Sequence, residues 1–197
     1  MCLEQQLENV FLSNHEHFAN HIENICLFFY LHRVVRVLIQ YQIDRKITIK
    51  MEGLNPMHLA CMNGKCDVVT EFAKLNQKWV DATDDDKFTP LHFACMQNCH
   101  KEVLQKNCHK VLQELLKCQA KMCATKEDGR YPIHVAVMNQ FTEGVEILLK
   151  AKQKCANCKD KKQRTPLHYV GEYCKDAAKA DEIMTLLLER YYNSKFL

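Results

Sequence analysis

The sequence predicts an all-α solenoid of helix–turn–helix units with protruding β-turn loops. Two observations carry that expectation. The four prolines, Pro56, Pro90, Pro132 and Pro166, stand 34, 42 and 34 residues apart, and two residues after each comes a histidine: His58, His92, His134 and His168. Downstream of each proline lies an apolar run at helical spacing, Val68–Ala73, Val111–Leu116, Val145–Leu149 and Ile183–Leu188. A period of this length marks stacked supersecondary units, none of which buries its apolar face alone.

The elements follow in chain order. Leu3 to Leu12, within residues 1–17, reads as a covering helix, since a stack shields its open ends. Residues 18–49 read as a degenerate first unit that lacks proline and histidine: stepping back 34 residues puts Arg33–Ile39 on its second helix and Ile22–Phe28 on its first. Four full units follow at 50–83, 84–125, 126–159 and 160–197. Each opens its first helix at the proline, which has a preset φ and no N–H to leave unpaired, behind a capping Asn55, Thr89 or Thr165. Tyr131 replaces that cap in the third unit. The small residues Ala60, Ala94 and Ala136 let a neighbouring helix approach. Polar segments at 50–55, 84–89, 126–131 and 160–165 separate the units and read as hairpin loops; Gly53 and Gly129 occupy a place that Lys87 and Gln163 take in the other two, whose tips should be less well ordered. The extra eight residues of the second unit carry Asn98-Cys99-His100-Lys101 and Asn107-Cys108-His109-Lys110, a small tandem duplication expected to lengthen the junction between helices. Glu172 to Asp181 is expected to do the same as a linker in the last unit.

The repeated words Asn55-Pro56-Met57-His58-Leu59-Ala60, Thr89-Pro90-Leu91-His92-Phe93-Ala94, Tyr131-Pro132-Ile133-His134-Val135-Ala136 and Thr165-Pro166-Leu167-His168-Tyr169-Val170 resemble the opening of the ankyrin repeat, clearly so over residues 50–190. The resemblance implies a scaffold role for the histidines, bonding backbone and threonine to hold neighbouring loops. It also aligns Asn157 with an asparagine that cytosolic hydroxylases modify in some members of the family.

Composition narrows the function. A net charge of +3, from 27 basic and 24 acidic residues in 197, is too mild for a general nucleic-acid binder. The longest strongly apolar stretch, Ile25 to Leu31, is far shorter than the roughly 20 residues of a bilayer span, so direct membrane insertion is not expected. The N-terminus lacks a secretory pattern, which predicts a cytoplasmic chain, the nucleus being compatible, with its 12 cysteines as reduced thiols.

Little in the chain points to chemistry. The motif histidines fall one per unit and do not converge. The five glycines form no phosphate-cradling loop, and the sequence lacks a nucleophile elbow. Cys155-x-x-Cys158 has the spacing of a zinc half-site, with Cys99-His100 and Cys108-His109 as conceivable partners, but a second well-spaced pair is missing. His15, His17 and His21 form another cluster, read as solvated. No catalytic residue, metal or cofactor is expected.

A protein-binding surface remains. Leu54, Phe88, Arg130 and Arg164 share one register just before the cap position, Tyr131 stands beside them, and Trp79 lies near the start of one loop; aromatic residues and arginine are the types enriched at interface hot spots. Charge changes along the units, from Asp84-Asp85-Asp86 to Lys159-Asp160-Lys161-Lys162-Gln163-Arg164. The expected function is an intracellular adaptor or inhibitor that binds a protein partner through loop tips and the concave face. The alternatives are an arm of a larger channel or scaffold protein, and a thiol- or zinc-based sensor. The apolar C-terminal helix, including Ile183, Met184, Leu187 and Leu188, suits self-association or further repeats at that end.

Overall fold

The computed structural model describes residues 53–96, 102–125 and 127–195, with the side chains of 102–107 and 191–195 left aside. All of these belong to one unit of internal contacts, 47–197. The expected covering helix at 1–17, the degenerate unit at 18–49, the cluster His15, His17 and His21, and Cys99-His100 lie outside the described residues.

Among the described residues eight α-helices form four antiparallel pairs: α1 (Pro56–Met62) with α2 (Cys66–Leu75), α3 (Pro90–Cys95) with α4 (Glu102–Lys117), α5 (Pro132–Met138) with α6 (Thr142–Ala151), and α7 (Pro166–Tyr173) with α8 (Ala177–Lys195). No strand occurs among the described residues. First helices pack in the order α1, α3, α5, α7, and second helices in the order α2, α4, α6, α8, so the pairs stack into two layers.

Each first helix starts at its proline behind an extended cap residue. Asn55 Oδ1 accepts the N–H groups of Met57 and His58 at 2.9 and 3.1 Å. Tyr131, without a capping oxygen, keeps the same extended backbone (φ −90°, ψ 161°) as Thr89 (φ −95°, ψ 164°), so the helix start survives the substitution. The turn to the second helix uses left-handed Gly64 (φ +63°) in one pair and Gln140 (φ +52°) in another. The core lies between the layers: Val69, Phe72, Val111, Leu112, Leu115, Val145, Leu148 and Ile183 are fully buried against Met57, Leu91, Ile133 and Tyr169.

The second unit has the longer junction expected of it, six residues (96–101) between α3 and α4 against three (63–65) between α1 and α2, and it spends further length on helix: α4 has 16 residues where α2 and α6 have 10. One expectation about connections is corrected. In the last unit the segment expected to be a linker is helical from Ala177 onward, which leaves only Cys174 to Asp176 as the connection. Alanine and lysine are strong helix formers, so extending α8 costs less than ordering a loop.

Candidate functional site

The loops are held by the histidines. His58, His92, His134 and His168 accept the N–H of the cap residue on Nδ1, from Asn55 at 2.9 Å, Thr89 at 3.1 Å, Tyr131 at 3.0 Å and Thr165 at 3.1 Å. A backbone N–H only donates, so Nδ1 is bare and the ring proton sits on Nε2. That proton goes to backbone at or leading into the next hairpin loop: His58 to Ala82 O at 3.0 Å, His92 to Arg130 O at 3.1 Å, His134 to Cys158 O at 3.1 Å. The hydroxyls of Thr89 and Thr165 also lie 2.9 and 2.8 Å from Nδ1. Burial pushes the His58, His92 and His134 imidazoles down to about 4, against the opposing pull of their carbonyl acceptors. Phe93 stands edge-on to His58 at 5.1 Å and Tyr169 tilts over His134 at 4.8 Å, so an aromatic residue of the next unit helps to exclude water. The histidines do not converge; each fastens one loop.

Three hairpin loops whose starts are described close on a polar side chain there. In the Asp84 loop, Asp84 N–H donates to Phe88 O at 3.1 Å, and Asp84 Oδ1 accepts from the N–H groups of Asp86 and Phe88 at 3.1 and 2.7 Å. In the Asp160 loop, Asp160 N–H donates to Arg164 O at 3.0 Å, and Arg164 N–H returns to Asp160 Oδ1 at 2.8 Å. Thr125 plays this part for the loop between them, its hydroxyl accepting Arg130 N–H at 3.0 Å. Adjacent loops also touch: Lys161 N–H donates to Asp128 O at 2.9 Å. Lys87 and Gln163 sit at φ +62° and +61°, next to +70° at Gly53 and Gly129. The missing glycines therefore show as backbone strain within formed turns, where looser tips were expected.

The predicted contact residues are mostly drawn inward. Phe88 is half-buried, 5.5 Å from the His92 ring and 6.0 Å from that of Phe93. Leu54 and Tyr131 are half-buried too, Tyr131 tilted 6.0 Å from His134. Arg130 pairs with Asp128 at 2.9 Å. Arg164 donates to Asp160 at 2.9 Å, Glu172 at 2.7 Å and the Tyr169 hydroxyl at 3.0 Å, with its guanidinium 4.7 Å above the Tyr169 ring. Burial alone would raise the Asp160 carboxyl, but hydrogen bonds from Arg164 and Tyr169 outweigh it and hold it at about 2. Trp79 is misplaced by the sequence reading: it is 9% exposed, within a 3-10 turn (Gln77–Asp81) that folds back on α2, and it packs edge-on against Phe72 at 5.5 Å.

What the loops do expose is charge. Asp85, Asp86 and Lys87 project from one tip, Glu127 from the next, and Lys161, Lys162 and Gln163 from the last. These residues were absent from the predicted contacts, although the charge runs that contain them were the available signal.

The described cysteines are thiols, not disulfides. Cys155 is buried in a second 3-10 turn (Gln153–Asn157), where its thiol lies 3.5 Å from Leu148 O and burial pushes it up to about 12. Cys158 gives its carbonyl to His134, and exposed Asn157 lies between the two. Among the described residues no group of three His, Cys, Asp or Glu side chains is placed to hold a metal ion, and no helix is long and apolar enough to cross a membrane.

Comparison with known proteins agrees with this geometry. A family model described as ankyrin repeats (3 copies) matches residues 24–106 and 102–195. The ankyrin repeat protein nuc-2 of Neurospora crassa is 27% identical over 135 residues, covering 68% of this chain and 11% of that protein. The chain thus spans about a tenth of that relative's length.

Proposed function

The chain belongs to the ankyrin repeat family, and on that premise we propose that it is an intracellular adaptor or inhibitor whose loop tips bind a protein partner of opposite charge pattern. Ankyrin repeats are generally protein–protein interaction modules, and the family is typically non-enzymatic; we read this chain the same way. One observation carries the reading: clasped loops expose Asp85 and Asp86 in one unit and Lys161 and Lys162 two units further on. Helix layers pack at roughly 8–10 Å, so the two charges stand about 20 Å apart on a frame that needs no ordering when a partner arrives. A protein segment with basic residues at one end and acidic residues at the other is steered and oriented by such a row.

The test is capture from extract of the source cells by purified chain, with Asp85→Lys/Asp86→Lys and Lys161→Glu/Lys162→Glu as charge-reversed variants and mass spectrometry of what each retains. A partner lost from both variants, with far-UV helicity unchanged, supports the proposal. An identical set on all three forms moves the site off the loop tips. A second reading, that the repeats form an arm of a larger scaffold or channel protein, is favoured by the small share of nuc-2 that the match occupies. Immunoblotting for the full-length product in source cells tests it, and a band at the mass of this chain alone removes it.

A further inference from the structure

At each junction between units the following unit covers a fixed set of positions, and at the last unit the same positions stand open. Met57, Leu91 and Ile133, each just after the proline, are at most 1% exposed, whereas Leu167 at that place is 40% exposed. His58, His92 and His134 are fully buried with Nε2 spent on the next loop, whereas His168 is exposed and bonded through Nδ1 to its own Thr165. Three residues on, Cys61, Cys95 and Val137 are fully buried, whereas a Cβ at exposed Gly171 would meet nothing within 4 Å. The second helices repeat the pattern: Val69 and Val145 are fully buried, and Met184 at their place is 39% exposed. A unit that closes a stack turns a polar face outward. This one presents leucine, histidine, glycine and methionine in the register of a junction.

We propose that the outer face of α7 and α8 is a docking face for one further helix–turn–helix unit of the same kind, seated as the three described junctions are seated. Its first helix would cover Leu167 and approach over Gly171, its second helix would cover Met184, and its hairpin loop would offer a backbone carbonyl to Nε2 of His168. The face continues an interface formed three times in this chain, and that continuity specifies the occupant. The described junctions set the outer face of one unit against the inner face of the next, whereas two copies meeting face to face would pair two outer faces, an arrangement that none of them shows and that argues against self-association.

The experiment appends one unit to the full chain after Leu197, in two versions that copy residues 50–83 or 126–159, and adds Leu167→Glu to each version and to the unmodified chain. Docking predicts one cooperative urea transition at a higher midpoint than the unmodified chain, and a slowly exchanging Nε2 proton on His168 by NMR. It also predicts that Leu167→Glu removes most of the midpoint gain while barely shifting the unmodified chain. Appended units that stay unfolded or melt separately in both versions overturn the proposal, because a competent face supplies the burial that a single unit lacks. A concentration-dependent dimer of the unmodified chain that Leu167→Glu abolishes also overturns it, in favour of a second copy.

Discussion

The Nε2 atom of His134 lies 3.1 Å from the carbonyl oxygen of Cys158, a residue that leads into the next hairpin loop. This bond joins two features that look unrelated along the chain, the third repeat word and the Cys-x-x-Cys spacing. The backbone at Cys158 is the acceptor that fixes a loop, and Cys155 beside it fills the core at the place that Trp79 takes two units earlier. The same ring accepts the Tyr131 N–H on a bare Nδ1; a second proton would leave the carbonyl bond in place but convert Nδ1 from acceptor to donor, setting two N–H groups against each other, so the complete clasp exists only in the neutral imidazole.

Stability should therefore fall in mild acid. Free histidine titrates near 6.5, and His58, His92 and His134 near 4 in the fold. Between those values the unfolded chain binds protons that the folded chain refuses, so the contribution is complete above pH 6.5 and is lost as pH falls toward 4. From pH 7.5 to pH 5 the loss is on the order of 1–2 kcal/mol per clasp. Urea midpoints across that range measure it, and a flat profile would mean that the rings are solvated.

The strained loop tips give a second expectation. Lys87 and Gln163 hold left-handed backbone that costs an L-residue about 1 kcal/mol, so Lys87→Gly and Gln163→Gly should each raise stability by roughly 0.5 kcal/mol, the gain being trimmed by glycine's larger unfolded entropy. The reverse change fails on contact as well as on φ. A Cβ at Gly129 would stand 2.9 Å from Lys161 Cγ and 3.0 Å from Lys161 N, so Gly129→Ala should cost more than 1 kcal/mol. Thermal melts of the three variants rank them; equal melting points would remove the argument.

The architecture was legible because proline is rare and its place in the unit is set by backbone geometry, so four prolines ruled the chain into helix pairs. The side-chain roles were less legible. Trp79 sits in a polar stretch where periodicity is silent, and only the 3-10 turn carries it back over Phe72. Arg164 has the chemistry of a contact residue, yet Asp160 four residues earlier captures it, a pairing visible in the sequence once the hairpin is drawn. The segment after Glu172 read as a linker that extends the interhelical connection, whereas its helix propensity prevailed and only Cys174 to Asp176 stay outside the helices.

Trp79 is the single tryptophan, which makes its placement directly readable. A ring packed on Phe72 and 9% exposed should emit at short wavelength and resist iodide quenching in the native chain, with both properties lost in urea. Trp79→Ala should cost about 3–5 kcal/mol. Emission like that of free tryptophan in the folded protein would return the residue to the surface.

Thiol reactivity separates core cysteines from a sensor. Cys61, Cys95 and Cys155 are buried with their thiols pushed up by that burial, and Cys123 is exposed. Since the thiolate is the reactive form, alkylation of the native chain should label Cys123 early and the three buried thiols only after urea is added. Mapping by mass spectrometry reads the order. Zinc that bound the native chain and shielded Cys158 from alkylation would revive the metal reading.

The Asp160 cluster offers the sharpest separation of loop scaffold from partner contact. Asp160 is fully enclosed, accepting from Arg164 N at 2.8 Å, Arg164 Nε at 2.9 Å and the Tyr169 hydroxyl at 2.8 Å. Asp160→Asn keeps the shape and removes the charge, which leaves the guanidinium only the exposed Glu172 carboxylate; the cost should be about 2–4 kcal/mol. The acid profile checks the same point in another window. A carboxyl held at about 2 contributes stability that is present above its unfolded value near 3.8 and is lost as pH falls from there toward 2, below the histidine range. That low-pH step should vanish in Asp160→Asn while the step between pH 6.5 and 4 remains. Arg164→Gln should lose stability by a similar amount, and the double variant by less than the sum, as coupled neighbours do. Additive losses would mean that Arg164 is free to meet a partner; coupled losses mean that any defect in partner capture by an Arg164 variant reports first on the loop that Arg164 holds.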